Sequence, residues 1–153
     1  MYGVSKITSE QDIMLVTFPE IDAGCTAAAA VLQYFSDAGV IVDMISQTAP
    51  RAACVSFSFT CSSRYFVPVM RIIAEGHKNI AVSPLISSGY IKINLFGEEM
   101  VTSCGVCAKA LAALAAHQID VTLITTSDLD ISLLIHQENE DAALQALKEA
   151  FVL

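Results

Sequence analysis

The chain has 153 residues, 54% of them apolar and 16% charged, with a formal net charge of −8. So much apolar content supports a buried core and excludes a disordered chain. The acidity, with no basic run to offset it, excludes a phosphate backbone as the main partner, so no nucleic acid is expected. No apolar stretch reaches the ~18 residues of a bilayer span, so no membrane partner is expected either. Ala108–Ala116 is interrupted by Lys109 and closed by His117 and Gln118. The N-terminus lacks the basic-then-apolar pattern of a signal peptide, which places the chain in the cytoplasm. Five cysteines, an odd number, read there as reduced thiols rather than a disulfide framework.

Tyr2–Ile7 is strand-like and has no obvious neighbour. Ile13–Phe18 is an apolar run of strand length, followed by a loop from Pro19 to Gly24. Ala27–Ala38 has helical spacing, with Val31, Leu32 and Phe35 on one face, and Gly39 stands where a left-handed C-cap is expected. Val40, Val42 and Met44 alternate as a half-buried strand, and Cys54–Phe59 alternates as the next one across a turn near Ala49–Arg51. Tyr65–Ala74 reads as a helix in which Pro68 either lies in the first turn or makes a kink, and Asn79–Ser83 as a fourth strand. The second half reads as Ile91–Phe96, a helix Gly105–Ala116, strands Val121–Thr125 and Ile131–Ile135, and a helix Glu140–Phe151.

The two halves repeat. Ala27–Gln47 aligns without gaps onto Val106–Thr126, 79 positions on, pairing Ala29 with Ala108, Leu32 with Leu111, Val42 with Val121 and Ile45 with Ile124. A repeat of about 80 residues is longer than a solenoid unit and reads as two copies of one small domain. Each half runs strand, helix, strand, strand, helix, but the second lacks a fourth strand after Phe151. The orphan strand at Tyr2–Ile7 supplies it by crossing over. The expected fold is α+β: two ferredoxin-like βαββαβ units, one spanning 12–84 and the other 1–8 with 90–153.

These residues resemble ACT domains, specifically the tandem pair of monofunctional aspartate kinases. Val42-Asp-Met-Ile-Ser-Gln47 resembles the first-domain strand of that family. In the second half, Gly97–Met100, Gly105-Val106, Leu123–Asp128, Ile131-Ser132 and Ala146–Phe151 match its motifs in order. Tyr2-Gly3-Val4 resembles the opening strand that completes the second unit, and no kinase half is present. The resemblance implies a non-catalytic, allosteric module that binds lysine or threonine where ACT units of two chains meet. It implies a homodimer that is either a free-standing sensor or works with an aspartate kinase catalytic subunit, and no cofactor.

By the same resemblance the effector site falls on Asp22, Ala23, Gly24, Cys25, Thr26 and Ala27 of the first loop and helix start. It continues on Asp43, Met44 and Gln47 of the following strand, and on Asp120 and Val121 of the second half. Ser103, Gly105, Thr126, Ser127 and Asp128 are candidates for a second interface. A helix N-terminus presents free N–H groups and partial positive charge to a carboxylate, while amide or acidic side chains accept from an ammonium. Asp43 and Gln47, four apart, are expected on one face of the sheet. The sequence departs from the family where its loop aspartate, helix-start glycine and second-loop proline become Ala23, Thr26 and Cys104, and where its asparagine becomes Asp120. Two other readings stand beside the regulatory one. One is a dimerisation module without ligand, and the other a thiol redox protein built on Cys104-Gly-Val-Cys107. A single CxxC does not supply the four ligands of a structural zinc. His77, His117 and His136 have no nucleophile implied beside them.

Overall fold

A computed structural model describes residues 3–75 and 83–153. The elements are β1 (Lys6–Asp22), α1 (Cys25–Asp37), β2 (Val42–Gln47), β3 (Cys54–Ser62), α2 (Phe66–Glu75), β4 (Leu85–Phe96), α3 (Val106–Ala116), β5 (Leu123–Thr126), β6 (Asp130–His136) and α4 (Glu140–Phe151). The fold is α+β. The chain divides into two compact units, Asp12–Ser88, and Met1–Gln11 joined to Gly89–Leu153.

In the unit 12–88 the antiparallel order β2-β3-β1 places Met14, Val16 and Phe18 of β1 opposite Cys61, Phe59 and Phe57 of β3. Alternation puts these six side chains on one face, where Val31 and Phe35 of α1 and Val69 of α2 cover them. Phe35 stands edge-on to Phe59, ring centroids 4.8 Å apart, and to Phe18 at 6.4 Å. Burial pushes the Cys61 thiol up to about 11, because a thiolate cannot be solvated in this core. Helix α1 ends as its glycine predicts. Gly39 is left-handed at φ +73, its N–H bonds Ser36 O at 2.9 Å, and Val40 N–H bonds Phe35 O at 3.0 Å. Pro68 is the third residue of α2, where its missing N–H breaks no helical bond.

The other unit orders β4-β6-β5 and builds its core from Ile91, Ile93, Leu95, Leu133 and Ile135 under Ala110 and Leu114 of α3 and Leu147 and Phe151 of α4. The chain's first residues belong to it. Val4 is 1% exposed within that core, and Ser5 donates to Phe96 O from its N–H at 2.8 Å and its hydroxyl at 3.3 Å. Lys92 pairs with Glu10 at 3.0 Å, and Glu140 accepts from Ser9 Oγ at 3.0 Å and Gln11 Nε2 at 2.7 Å. Helix α3 ends as α1 does: Gln118 takes the left-handed position at φ +57, and Ile119 N–H bonds Leu114 O at 3.0 Å.

Three expectations need correction. Of the strand expected at Tyr2–Ile7, Tyr2 lies outside the described residues, Gly3–Ser5 are not strand, and Lys6 and Ile7 begin β1, which runs on through the polar residues to include Ile13–Phe18, with Asp12 at φ +56. Strand β4 begins at Leu85, not Ile91; of the fourth strand expected at Asn79–Ser83, residues 79–82 lie outside the described residues. Strand β2 carries a bulge: Val42 pairs with Cys61 but Ile45 with Phe59, three residues against two.

Candidate functional site

The first loop turns directly from β1 into α1. Asp22, exposed, is the last residue of β1 and pairs with Cys54; Ala23 N–H bonds Ala53 O at 3.0 Å, which ties the loop to the β2–β3 hairpin. Gly24 is the N-cap in extended conformation, so no side chain caps the helix, and its first turn, with Cys25, Thr26 and Ala27, holds no acid. Gly24, Cys25 and Thr26 are exposed; Ala27 is half-buried and its N–H bonds Gly24 O at 3.3 Å. The helix start therefore keeps its partial positive charge without a side-chain cap or a first-turn acid, and Asp22 is the acid nearest to it in sequence.

Gln47, exposed, lies opposite Phe57, on the helix-covered face and at the same end of the strands as the start of α1. Asp43 and Met44 form the bulge. The extra residue reverses the alternation, so Asp43 and Gln47 do not share a face as period two would have them. Met44 is buried, and its N–H bonds Thr60 Oγ1 at 3.0 Å, closing the bulge with a side chain.

The remaining candidates lie in the other unit. Asp120 is exposed ahead of β5, and Val121 packs against the core. Gly105, left-handed at φ +81, is the N-cap of α3, again without a side-chain cap; half-buried Ser103 lies beside Gly3. Ser127 is occupied structurally, since its hydroxyl accepts from Leu129 and Asp130 N–H at 3.2 and 3.1 Å and closes the β5–β6 turn. Thr126 and Asp128 are exposed at that turn. The cysteines of the CxxC, Cys104 and Cys107, are free thiols, exposed and half-buried. Among the described residues no three His, Cys, Asp or Glu side chains gather as a metal site. No helix among them is long and apolar enough to cross a membrane.

Two cavities stand apart from these candidates. One, about 740 Å³, runs along the outer face of α4 between Leu144, Lys148 and Leu153 and holds no candidate residue. The other, about 320 Å³, is lined by Glu20, Thr48 and Arg51 of the unit 12–88, which the sequence reading passed over. A proline inside a strand, here Pro19, is the signal that would have marked a bulge there.

The ACT domain family matches residues 93–151, which makes the second half an ACT domain. Along its whole length the chain resembles aspartokinases. That of Mycobacterium bovis is 32% identical over 99% of this chain and 36% of that protein. That of Bacillus sp. strain MGA3 is 28% identical over 98% and 37%. The chain thus spans little more than a third of the curated relatives it matches. Among solved structures, aspartokinase alpha and beta subunits superpose with a TM-score of 0.87 at 26% identity, covering 98% of this chain and 99% of that one. The ligand-free regulatory subunit of aspartate kinase from Thermus thermophilus superposes at 0.89 with 25% identity, covering 97% and 99%. Residues 93–151 are thus an ACT domain, and over its whole length the chain is similar to the regulatory region of aspartate kinases.

Proposed function

We propose that this chain is the amino-acid sensor of an aspartate kinase: two ferredoxin-like ACT units in tandem, 12–84 and 90–153, the latter completed by residues 1–8. Lysine or threonine is the effector. The single observation that carries the reading is the start of α1, uncapped and free of acid, at the same end of its unit as exposed Gln47. Correspondence with a Thermus protein described as a regulatory subunit supports it further. The effector's carboxylate meets the N–H groups of Cys25 and Thr26, and its ammonium meets Gln47 with Asp22 or Asp120. Assembly is as a homodimer in the cytoplasm, with an aspartate kinase catalytic subunit as the partner that reads the bound state.

A ligand that bridges ACT units stabilises folding and assembly by RT ln(1 + [L]/Kd), about 2.7 kcal/mol at a hundredfold excess over Kd. Differential scanning fluorimetry against the twenty amino acids is the test. Lysine or threonine raises Tm by several degrees, and Gln47→Ala removes most of that rise while the unliganded melting point stays put. If no amino acid at millimolar concentration moves the melting curve, the sensing reading fails.

The dimerisation reading has its own observation. Ile41 and Ile45 at and beside edge strand β2, and Phe66 and Val67 at the start of α2, are exposed, Ile41 by 66% and Val67 by 64%. In the other unit the corresponding first turn of α4 carries Glu140 and Asp141 instead. An apolar edge of this kind supports a second copy as its cover, and it is compatible with effector binding at the same contact.

A further inference from the structure

The smaller cavity is built by two irregularities of the strands, a bulge and a turn. Phe18 pairs with Phe57 but Ile21 with Val55, so Pro19 and Glu20 bulge out of β1 opposite Ser56. Bulges re-aim side chains and recur beside binding sites. Across the cavity, Arg51 and Cys54 exchange both backbone hydrogen bonds, 2.8 and 3.0 Å, around Ala52 and Ala53. Both alanines are left-handed, at φ +50 and +62. A two-residue turn of that shape normally takes Asn-Gly, and each alanine there costs about 1 kcal/mol. Strain of this kind clusters at active sites and ligand clamps.

The chemistry inside is bifunctional. Glu20 and Arg51 line one volume of about 320 Å³, yet neither forms an ion pair with any described residue. Thr48 Oγ1 accepts Ser56 N–H at 2.9 Å, which leaves its own proton to donate, and the Ser56 hydroxyl has no partner among the described residues. Pro19 and Val55 supply apolar wall. Opposite charges held apart in one small cavity fit a ligand that carries both charges itself. We propose that this cavity is a second binding site, for a free α-amino acid, with the carboxylate on Arg51 and the ammonium on Glu20. Neither Gln47 nor the first turn of α1 lines this cavity, so the site is distinct from the helix-start effector site. It is linked to that site through the bond from Ala23 N–H to Ala53 O, 3.0 Å long, at the strained turn.

Amide NMR titration of the isotopically labelled chain with each of the twenty amino acids tests this. At least one is expected to shift the amides of Glu20, Thr48, Arg51 and Ser56 saturably, while its N-acetyl derivative and its methyl ester do not. Glu20→Gln and Arg51→Gln each weaken binding about tenfold or more, the worth of one charge-assisted contact. Both side chains are exposed, so unchanged melting points verify that the variants fold. Gln47→Ala leaves these shifts intact, and any shifts at Cys25 and Thr26 that it abolishes report on the effector site instead. The proposal is overturned if no amino acid shifts the four amides, if the blocked derivatives shift them equally, or if binding survives both charge removals.

Discussion

Gly97→Ala isolates the docking of the N-terminal segment. Gly97 is extended, at φ −172, a conformation open to any residue, so only space decides the outcome. A Cβ there overlaps the carbonyl oxygen of Gly3 and comes within 2.8 Å of Gly3 C and 3.0 Å of Val4 Cα. All three are backbone atoms and none can rotate aside. The segment must lift, which exposes Val4, now 1% exposed, and breaks the two bonds from Ser5 to Phe96 O. Uncovering a valine costs about 2 kcal/mol and each neutral hydrogen bond about 1. The sum of roughly 3–4 kcal/mol is a large part of the 5–15 kcal/mol typical of a domain and corresponds to a fall in Tm of roughly 10 °C. Urea denaturation measures the loss, and hydrogen exchange locates it: amides of Ile91–Leu95 and Leu133 should lose protection while Phe57 and Phe59 keep theirs. Gly24→Ala adds the same methyl where a Cβ meets nothing within 4 Å, so it should lose only the N-cap preference for glycine, about 0.5–1 kcal/mol, and leave protection of Ile91–Leu95 unchanged. A Gly97→Ala protein within about 0.5 kcal/mol of the parent would refute the steric reasoning, because ordinary surface substitutions stay in that range.

Gln118→Gly should stabilise the protein by about 1 kcal/mol in thermal or urea unfolding, since Gln118 holds at φ +57 the left-handed cap that Gly39 fills at φ +73. Cys61 adds a pH dependence: its folded pKa of about 11 lies above the ordinary thiol value, so the unfolded chain ionises first. Stability is then whole below the ordinary thiol range and falls as pH rises toward the folded value, by at most ~1.4 kcal/mol per pH unit. Cys61→Ala should flatten that slope in urea titrations between neutral and alkaline pH, while losing some stability throughout. Sedimentation equilibrium at micromolar concentrations should find a dimer that Phe66→Asp or Val67→Asp converts to monomer with the fold intact by circular dichroism; a parent chain that is monomeric with and without lysine or threonine defeats the assembly reading.

Periodicity alone located the helices. Val31 and Phe35 recur at helical spacing and point inward, Gly39 ends α1 where a residue without Cβ is favoured, and α4 runs from Glu140 to Phe151 as its pattern implies. These are local preferences, settled within one or two turns, and the residues themselves declare them. The correspondence of the two halves was legible for the same reason. In both, a left-handed residue and a bond back to the last turn end the helix, although the second uses a glutamine.

Strand continuity and strand register were not local. Nothing in Thr8–Gln11 marks a strand. Those residues are held extended because Glu140, well over a hundred positions away, accepts from Ser9 and Gln11, and because Lys92 pairs with Glu10. The β2 bulge takes Asp43 and Gln47 off a common face, and the β1 bulge aims Glu20 into a cavity with Arg51; each depends on how one strand meets another. The sequence by itself determined which segments are helix, which face of each is apolar, and the family that they resemble. Only the tertiary structure decided where the ladder gains an extra residue and which charges end in one cavity. An inserted residue changes the pairing of two strands without altering the composition or period of either, so the chain carries no local sign of it.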